Sequence, residues 1–247
     1  MKSFLAALAL AVVTFSTPSF AWDVDKMNEQ IEKTSVIVSG VCSGTIIDVE
    51  ERLVLTAHHC ITGNLREIDK EEVDPITGDI KTKRVVDRMP MFIETWTRQD
   101  FEVVTSSMHQ AVIKGYDQKN DIAILQVKDK NWKPAMEASL SPNTYQYKRG
   151  LPVFAVGNPG IAFDNSVTTG IISAPERAFD MGNGLVSYFQ VSAAAMGGSS
   201  GGAIYNDAGQ IIGTLSGGVM GANITLAVPI AKTKELLKKI GLEKVYE

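Results

Sequence analysis

The chain reads as an all-β protein, and three observations say so. Short runs rich in Val, Ile, Leu and Thr recur along most of its length. Glycine- and asparagine-rich turn signals separate them: Gly63-Asn64, Thr77-Gly78, Asn158-Pro159-Gly160, Gly182-Asn183-Gly184 and Asp207-Ala208-Gly209. Only one long segment, at the end, has helical periodicity. Many short strands with such turns indicate a barrel or a sandwich.

The elements follow in order. Residues 1–21 carry Lys2, an apolar run and small residues at Ser19 and Ala21, which predicts an export leader cleaved before Trp22. Its loss takes the net charge from −4 to −5. The apolar run is short for a membrane span, and no later segment is long and apolar enough for one, so stable membrane insertion is not expected. Residues 22–33 form a polar helix or arm. Strand-like runs then begin with "SVIVSGVCSGTIIDV" (35–49) and "RLVLTA" (52–57). The charge-dense stretch 62–84 reads as an exposed loop with a hairpin tip at 74–79; it lacks the ligand spacing of an EF-hand. "MFIETW", "FEVVTS" and "DIAILQV" complete a first β-rich unit over 34–128. Residues 129–150 are polar with two prolines and read as a connection. "LPVFAVG", "SVTTGIIS", "VSYFQVS", "QIIGTLSG" and "ITLAV" make a second unit over 151–229. Residues 230–247 hold a helix, with Pro229 at its start and Gly241 beyond it.

Composition narrows the function. The 247 residues are 45% hydrophobic and 21% charged, a globular balance. The mildly acidic charge argues against a nucleic-acid partner. Two cysteines, Cys42 and Cys60, in an exported chain predict one disulfide. Two cysteines and three histidines fit no zinc spacing, so no metal is expected, nor any cofactor.

The chemistry concentrates in "MGGSSGGAIYN" (196–206), where core-like segments flank a glycine- and serine-rich run. A serine hydroxyl needs a base to become a nucleophile. The oxyanion formed in acyl transfer needs two donors, which the backbone N–H groups of Gly198 and Ser200 can supply. Ser200 is favoured over Ser199 as nucleophile. The base is His59, at a strand end beside Cys60; His58 faces elsewhere and His109 lies in an exposed polar run. Asp121, at the mouth of "DIAILQV", orients the imidazole, with Asp117 as the alternative.

The order His59, Asp121, Ser200 matches the chymotrypsin type. "TAHHC", "NDIAIL" and "GGSSGGAIYNDAGQIIGTLSG" together resemble the trypsin-fold serine proteases of the HtrA/DegP-like kind, without a PDZ domain. The likeness runs from about Thr34 to Leu237. It implies two six-stranded antiparallel β-barrels packed face to face, with a C-terminal α-helix and the site in the cleft between them. It also implies polypeptide substrates and a secreted or periplasmic location; the oligomeric state is left open. Ser199 stands where digestive relatives carry the aspartate that pairs with a freed N-terminus, so that activation switch is not expected. Ala194 stands where trypsin-like preference needs a carboxylate. Ala193, Ala194, Leu215, Ser216, Gly217 and Val219 predict a neutral pocket for a small or medium apolar P1 residue. The alternative is an inactive binding or chaperone-like module on the same barrels.

Overall fold

The computed structural model describes residues 23–99, 102–161, 163–219 and 221–247. The leader expected over residues 1–21 lies outside the described residues. Two closed six-stranded antiparallel barrels dominate the chain. The first is built from β1 (Ser35–Val38), β2 (Cys42–Asp48), β3 (Leu53–Thr56), β6 (Met91–Gln99), β7 (Glu102–Asp117) and β8 (Ile122–Val127). The second is built from β9 (Pro152–Gly157), β10 (Ser166–Asp180), β11 (Leu185–Val191), β12 (Ala203–Tyr205), β13 (Ile211–Val219) and β14 (Ile224–Pro229). The fold is all-β, as the turn spacing and strand composition predict.

Three apolar clusters explain why several strands are apolar on both faces. In β3, Val54 points into the first barrel, while Leu53 and Leu55 point to the seam between the barrels. In β8, Ala123 and Leu125 face the barrel interior and Ile122 and Ile124 the seam. In β9, Val153 and Ala155 line the second barrel, with Phe154 and Val156 on the seam. A strand buried on both faces loses hydrophobic alternation and reads as a continuous apolar run. The seam is thus a third core, and it sets the two barrels against each other.

Two helices close that seam. α1 (Val24–Thr34) starts at Asp23, whose carboxylate accepts from the N–H groups of Asp25 and Lys26, and it buries Ile31 and Thr34. α2 (Ile230–Lys239) follows β14 directly yet returns to the first barrel, where Ile240 and Leu236 pack over Gly115 of β7. Its Leu236 and Leu237 join the seam. Buried Lys234 donates to the Ser141 carbonyl at 2.6 Å, tying the helix to the connection between the barrels.

One expectation is corrected. The stretch 62–84 is exposed but is no loop: β4 (Leu65–Val73) and β5 (Ile80–Arg88) pair over nine residues as a separate two-stranded ribbon. Asp74 shapes its tip by accepting from the Ile76 and Thr77 N–H groups. Cross-strand charges such as Arg84 with Asp69 mask the strand signal, because neither face is apolar. Among the described residues, no helix is long and apolar enough to cross a membrane.

Candidate active site

His59 sits in a short 3₁₀ turn, His58–Cys60, directly after β3. The Cys42–Cys60 disulfide, with Cα atoms 6.0 Å apart, pins that turn to β2. Asp121 ends the turn before β8 in the left-handed region, at φ +53°. Aspartate tolerates this conformation better than most side chains. It is only 6% exposed.

Asp121 is held by several donors. The His59 ring sets Nδ1 at 2.9 Å from Oδ2 and 3.0 Å from Oδ1. The His59 backbone N–H donates to Oδ1 at 2.9 Å. The Ser216 hydroxyl donates to Oδ2. Burial works to raise this carboxyl, but the His59 ring, the Ser216 hydroxyl and the His59 N–H together hold it below its ordinary value. An ionised carboxylate only accepts, so Nδ1, the ring nitrogen that faces it, carries a proton.

Ser200 comes from the other barrel, on the loop between β11 and β12. Its neighbour Ser199 is buried, whereas Ser200 lies half-buried at the cleft. The loop is built on the first barrel. The Ser43 N–H donates to the Ser200 carbonyl at 2.8 Å. The Ser43 hydroxyl donates to the Gly198 carbonyl at 2.7 Å. Asn158 in turn donates to that hydroxyl through its N–H at 2.8 Å. Gly201, at φ +84°, runs so close to β2 and β3 that a Cβ there would strike the Ser43 carbonyl and the Thr56 hydroxyl. Among the described residues no hydrogen bond joins the Ser200 hydroxyl to the His59 ring.

Two hollows flank these groups and meet at Ser216. One, of about 170 Å³, is lined by Met196, Ser200, Leu215, Ser216, Gly217 and Val219, among others. The second, of about 390 Å³, is lined by His58, His59, Thr62, Asp121, Asn183 and Ser216, among others. Ala194 lies beside the first hollow, in a neighbouring depression with Ala155, Thr168 and Leu215.

Ser216 therefore both lines the hollows and binds Asp121. It is the extra residue of a β-bulge: Leu215 pairs with Ala227 and Gly217 with Leu226, so Ser216 is left over and its side chain re-aimed. Nothing in "IIGTLSGGV" announces that bulge. Ser43 and Asn158, which hold the Ser200 loop, are likewise silent in the sequence.

Neither of the other two histidines bonds Asp121 among the described residues. His58 is buried, tilted over Tyr116 at 5.1 Å, and burial lowers its pKa. His109 is half-buried rather than exposed: its ring lies 5.1 Å from that of Trp132, which comes from the connection and is invisible to local polarity. Cys42, His59 and Cys60 place donor atoms within 4.8 Å of one another, but both sulfurs are spent in the disulfide.

Two six-stranded barrels, with a cleft that draws on an aspartate-bound histidine from one and a serine loop from the other, have the architecture of a trypsin-fold serine peptidase. The chain belongs to the trypsin-like peptidase domain family, which matches residues 42–213. It is similar to a probable periplasmic serine endoprotease, DegP-like, of Pseudomonas putida strain GB-1, at 34% identity over 139 residues, covering 53% of this chain and 28% of that protein. It is also similar to an HtrA-like serine protease of Staphylococcus haemolyticus, at 35% over 143 residues, covering 53% of this chain and 22% of that one. The chain thus matches only about a quarter of the length of these relatives.

Proposed function

We propose that the protein is an exported serine endopeptidase, working in the periplasm or outside the cell. It hydrolyses peptide bonds with Ser200 as nucleophile, His59 as general base and Asp121 as the orienting carboxylate. The observation that carries this reading is the double hold of Asp121 on His59. It fixes the tautomer that leaves Nε2 basic, in a cleft shared with the Ser200 loop. Family membership and the names of the periplasmic relatives support it.

In this reading the Ser200 oxygen attacks the peptide carbonyl carbon while its proton passes to His59 Nε2. The proton then goes to the leaving amine as the C–N bond breaks. Water, activated by the same nitrogen, hydrolyses the acyl-enzyme. The N–H groups of Gly198 and Ser200 receive the oxyanion. One contact supports this role for Gly198: the Gly197 carbonyl accepts from the Gly160 N–H at 2.7 Å. Across a trans peptide the Gly198 N–H points the opposite way, away from Gly160.

The P1 side chain enters the 170 Å³ hollow. Leu215, Gly217, Met196 and Val219 line it and, among the described residues, no carboxylate does, which supports a small or medium apolar residue. A lysine or arginine there would bury an unpaired charge.

The test is a fluorophosphonate probe on the leaderless protein, with the adduct mapped by mass spectrometry. Labelling of Ser200 that disappears in Ser200→Ala and His59→Ala, together with casein cleavage, is the expected result. An unlabelled protein that still binds casein would favour an inactive binding module.

A further inference from the structure

We propose that the tip of the β10–β11 hairpin is a brace for the catalytic acid, with Asn183 as the positioning residue for Asp121. The proposal rests on the reading of Asp121 and His59 as members of the triad. The observation behind it is a set of polar contacts that starts in the second barrel and ends on the turn carrying Asp121.

That turn needs holding. Asp121 is in the left-handed region, and its own N–H reaches the Gln118 carbonyl only at 3.4 Å. A non-glycine residue there is strained and persists only when its surroundings over-determine it. Part of the hold is local: Asn120 donates to the Asp117 carboxylate through its N–H at 3.0 Å and its side chain at 2.6 Å. The rest crosses the cleft. Asn183 Nδ2 donates to the Lys119 carbonyl at 2.7 Å and approaches the Gln118 carbonyl at 3.4 Å.

The hairpin tip is itself fixed. Asp180 accepts from the N–H groups of Gly182 and Gly184, at 2.8 and 3.0 Å. Met181 lies so close to Gly217 that a Cβ on that glycine would meet its sulfur. The second barrel therefore reaches Asp121 twice: directly through Ser216, and indirectly through Asn183 and the 118–121 turn.

The consequence concerns alignment. His59 and Asp121 belong to one barrel and Ser200 to the other. A misplacement of about 1 Å between such groups costs about a hundredfold in rate. A brace from the serine-bearing barrel onto the acid couples the two halves at the point where the coupling counts. Asn183 need not touch substrate to do this.

Asn183→Ala removes the donor to the turn, and Asn183→Asp removes it while keeping the size of the side chain. In each variant we expect fluorophosphonate labelling of Ser200 to slow about tenfold, and kcat on a peptide ester to fall equally with KM unchanged. The downfield Nδ1 proton resonance of His59, read in protein labelled with ¹⁵N-histidine, should weaken or broaden. That signal reports the His59–Asp121 contact, and packing changes elsewhere would leave it alone. An unaltered resonance and labelling rate in both variants overturns the proposal. So does loss of the native fold in both, which would make Asn183 purely structural. Should the unaltered protein fail to label, the triad reading falls. The brace is then judged on the resonance alone, which must still weaken in both variants.

Discussion

Asp121 Oδ1 takes two hydrogen bonds from a single residue, one from the His59 ring at 3.0 Å and one from the His59 backbone at 2.9 Å. The acid thus fixes the position of the histidine backbone as well as the tilt of its ring. Asp121→Asn keeps the shape but presents an amide to Nδ1, which favours the wrong tautomer. Peptidase kcat should fall by about 10⁴-fold with little change in unfolding midpoint. Peptide-ester kinetics beside a urea titration check both halves of the expectation.

Ser216→Ala removes one charge-assisted hydrogen bond from Asp121 without altering the apolar lining of the hollow proposed for P1. Such a bond is worth about 1.5–3 kcal/mol. The loss should therefore appear in kcat, by about ten- to a hundredfold, while preference among apolar P1 residues stays as it was. A P1 peptide library run on both proteins separates the two effects.

Gly201→Ala should damage the fold rather than the chemistry alone. The new Cβ would strike the Ser43 carbonyl and the Thr56 hydroxyl, and φ of +84° strains any L side chain. We expect a loss of about 3 kcal/mol, or no folded protein. A serine at 201 should fail in the same way, which urea unfolding or soluble yield will show.

The Cys42–Cys60 bridge closes a loop of 18 residues. Replacing both cysteines with serine should cost about 3 kcal/mol in the chain-entropy account. Activity should fall more steeply with temperature than in the intact protein, because the same bridge restrains the turn that carries His59. Unfolding curves with and without reductant give the first number, and initial rates between 20 and 45 °C, at roughly even steps, give the second.

His58 supplies a pH dependence whose sign is fixed. Burial lowers its pKa below the ordinary 6.5, partly opposed by the charge of Asp121. As pH falls through about 6.5 the unfolded chain takes up this proton before the folded one, so stability declines on acidification. His58→Phe keeps a ring over Tyr116 and removes the titrating group. The drop in urea midpoint between about pH 7.5 and 5 should be smaller in the variant. An equal drop in both proteins would remove His58 as its source.

What could be read from the chain alone was whatever is written locally. Turn pairs such as Asn158-Pro159-Gly160, the β-branched runs and the helix after Pro229 all announce themselves within a few residues. So do the candidates His59, Asp121 and Ser200, because each stands where an apolar run meets a turn and each needs a particular side-chain chemistry. The paired charges of 65–88 hid a ribbon because strand periodicity shows only where one face is apolar. Tertiary structure alone decided that Ser216 drops out of the β13 ladder onto Asp121, and that Ser43 and Asn158 hold the Ser200 loop. It alone sent α2 back across Gly115 to the first barrel. These contacts join segments tens to more than a hundred residues apart, and a hydroxyl or amide has no local pattern that names its distant partner. Local chemistry sets which groups are available; the packing of the seam between the barrels sets which of them meet.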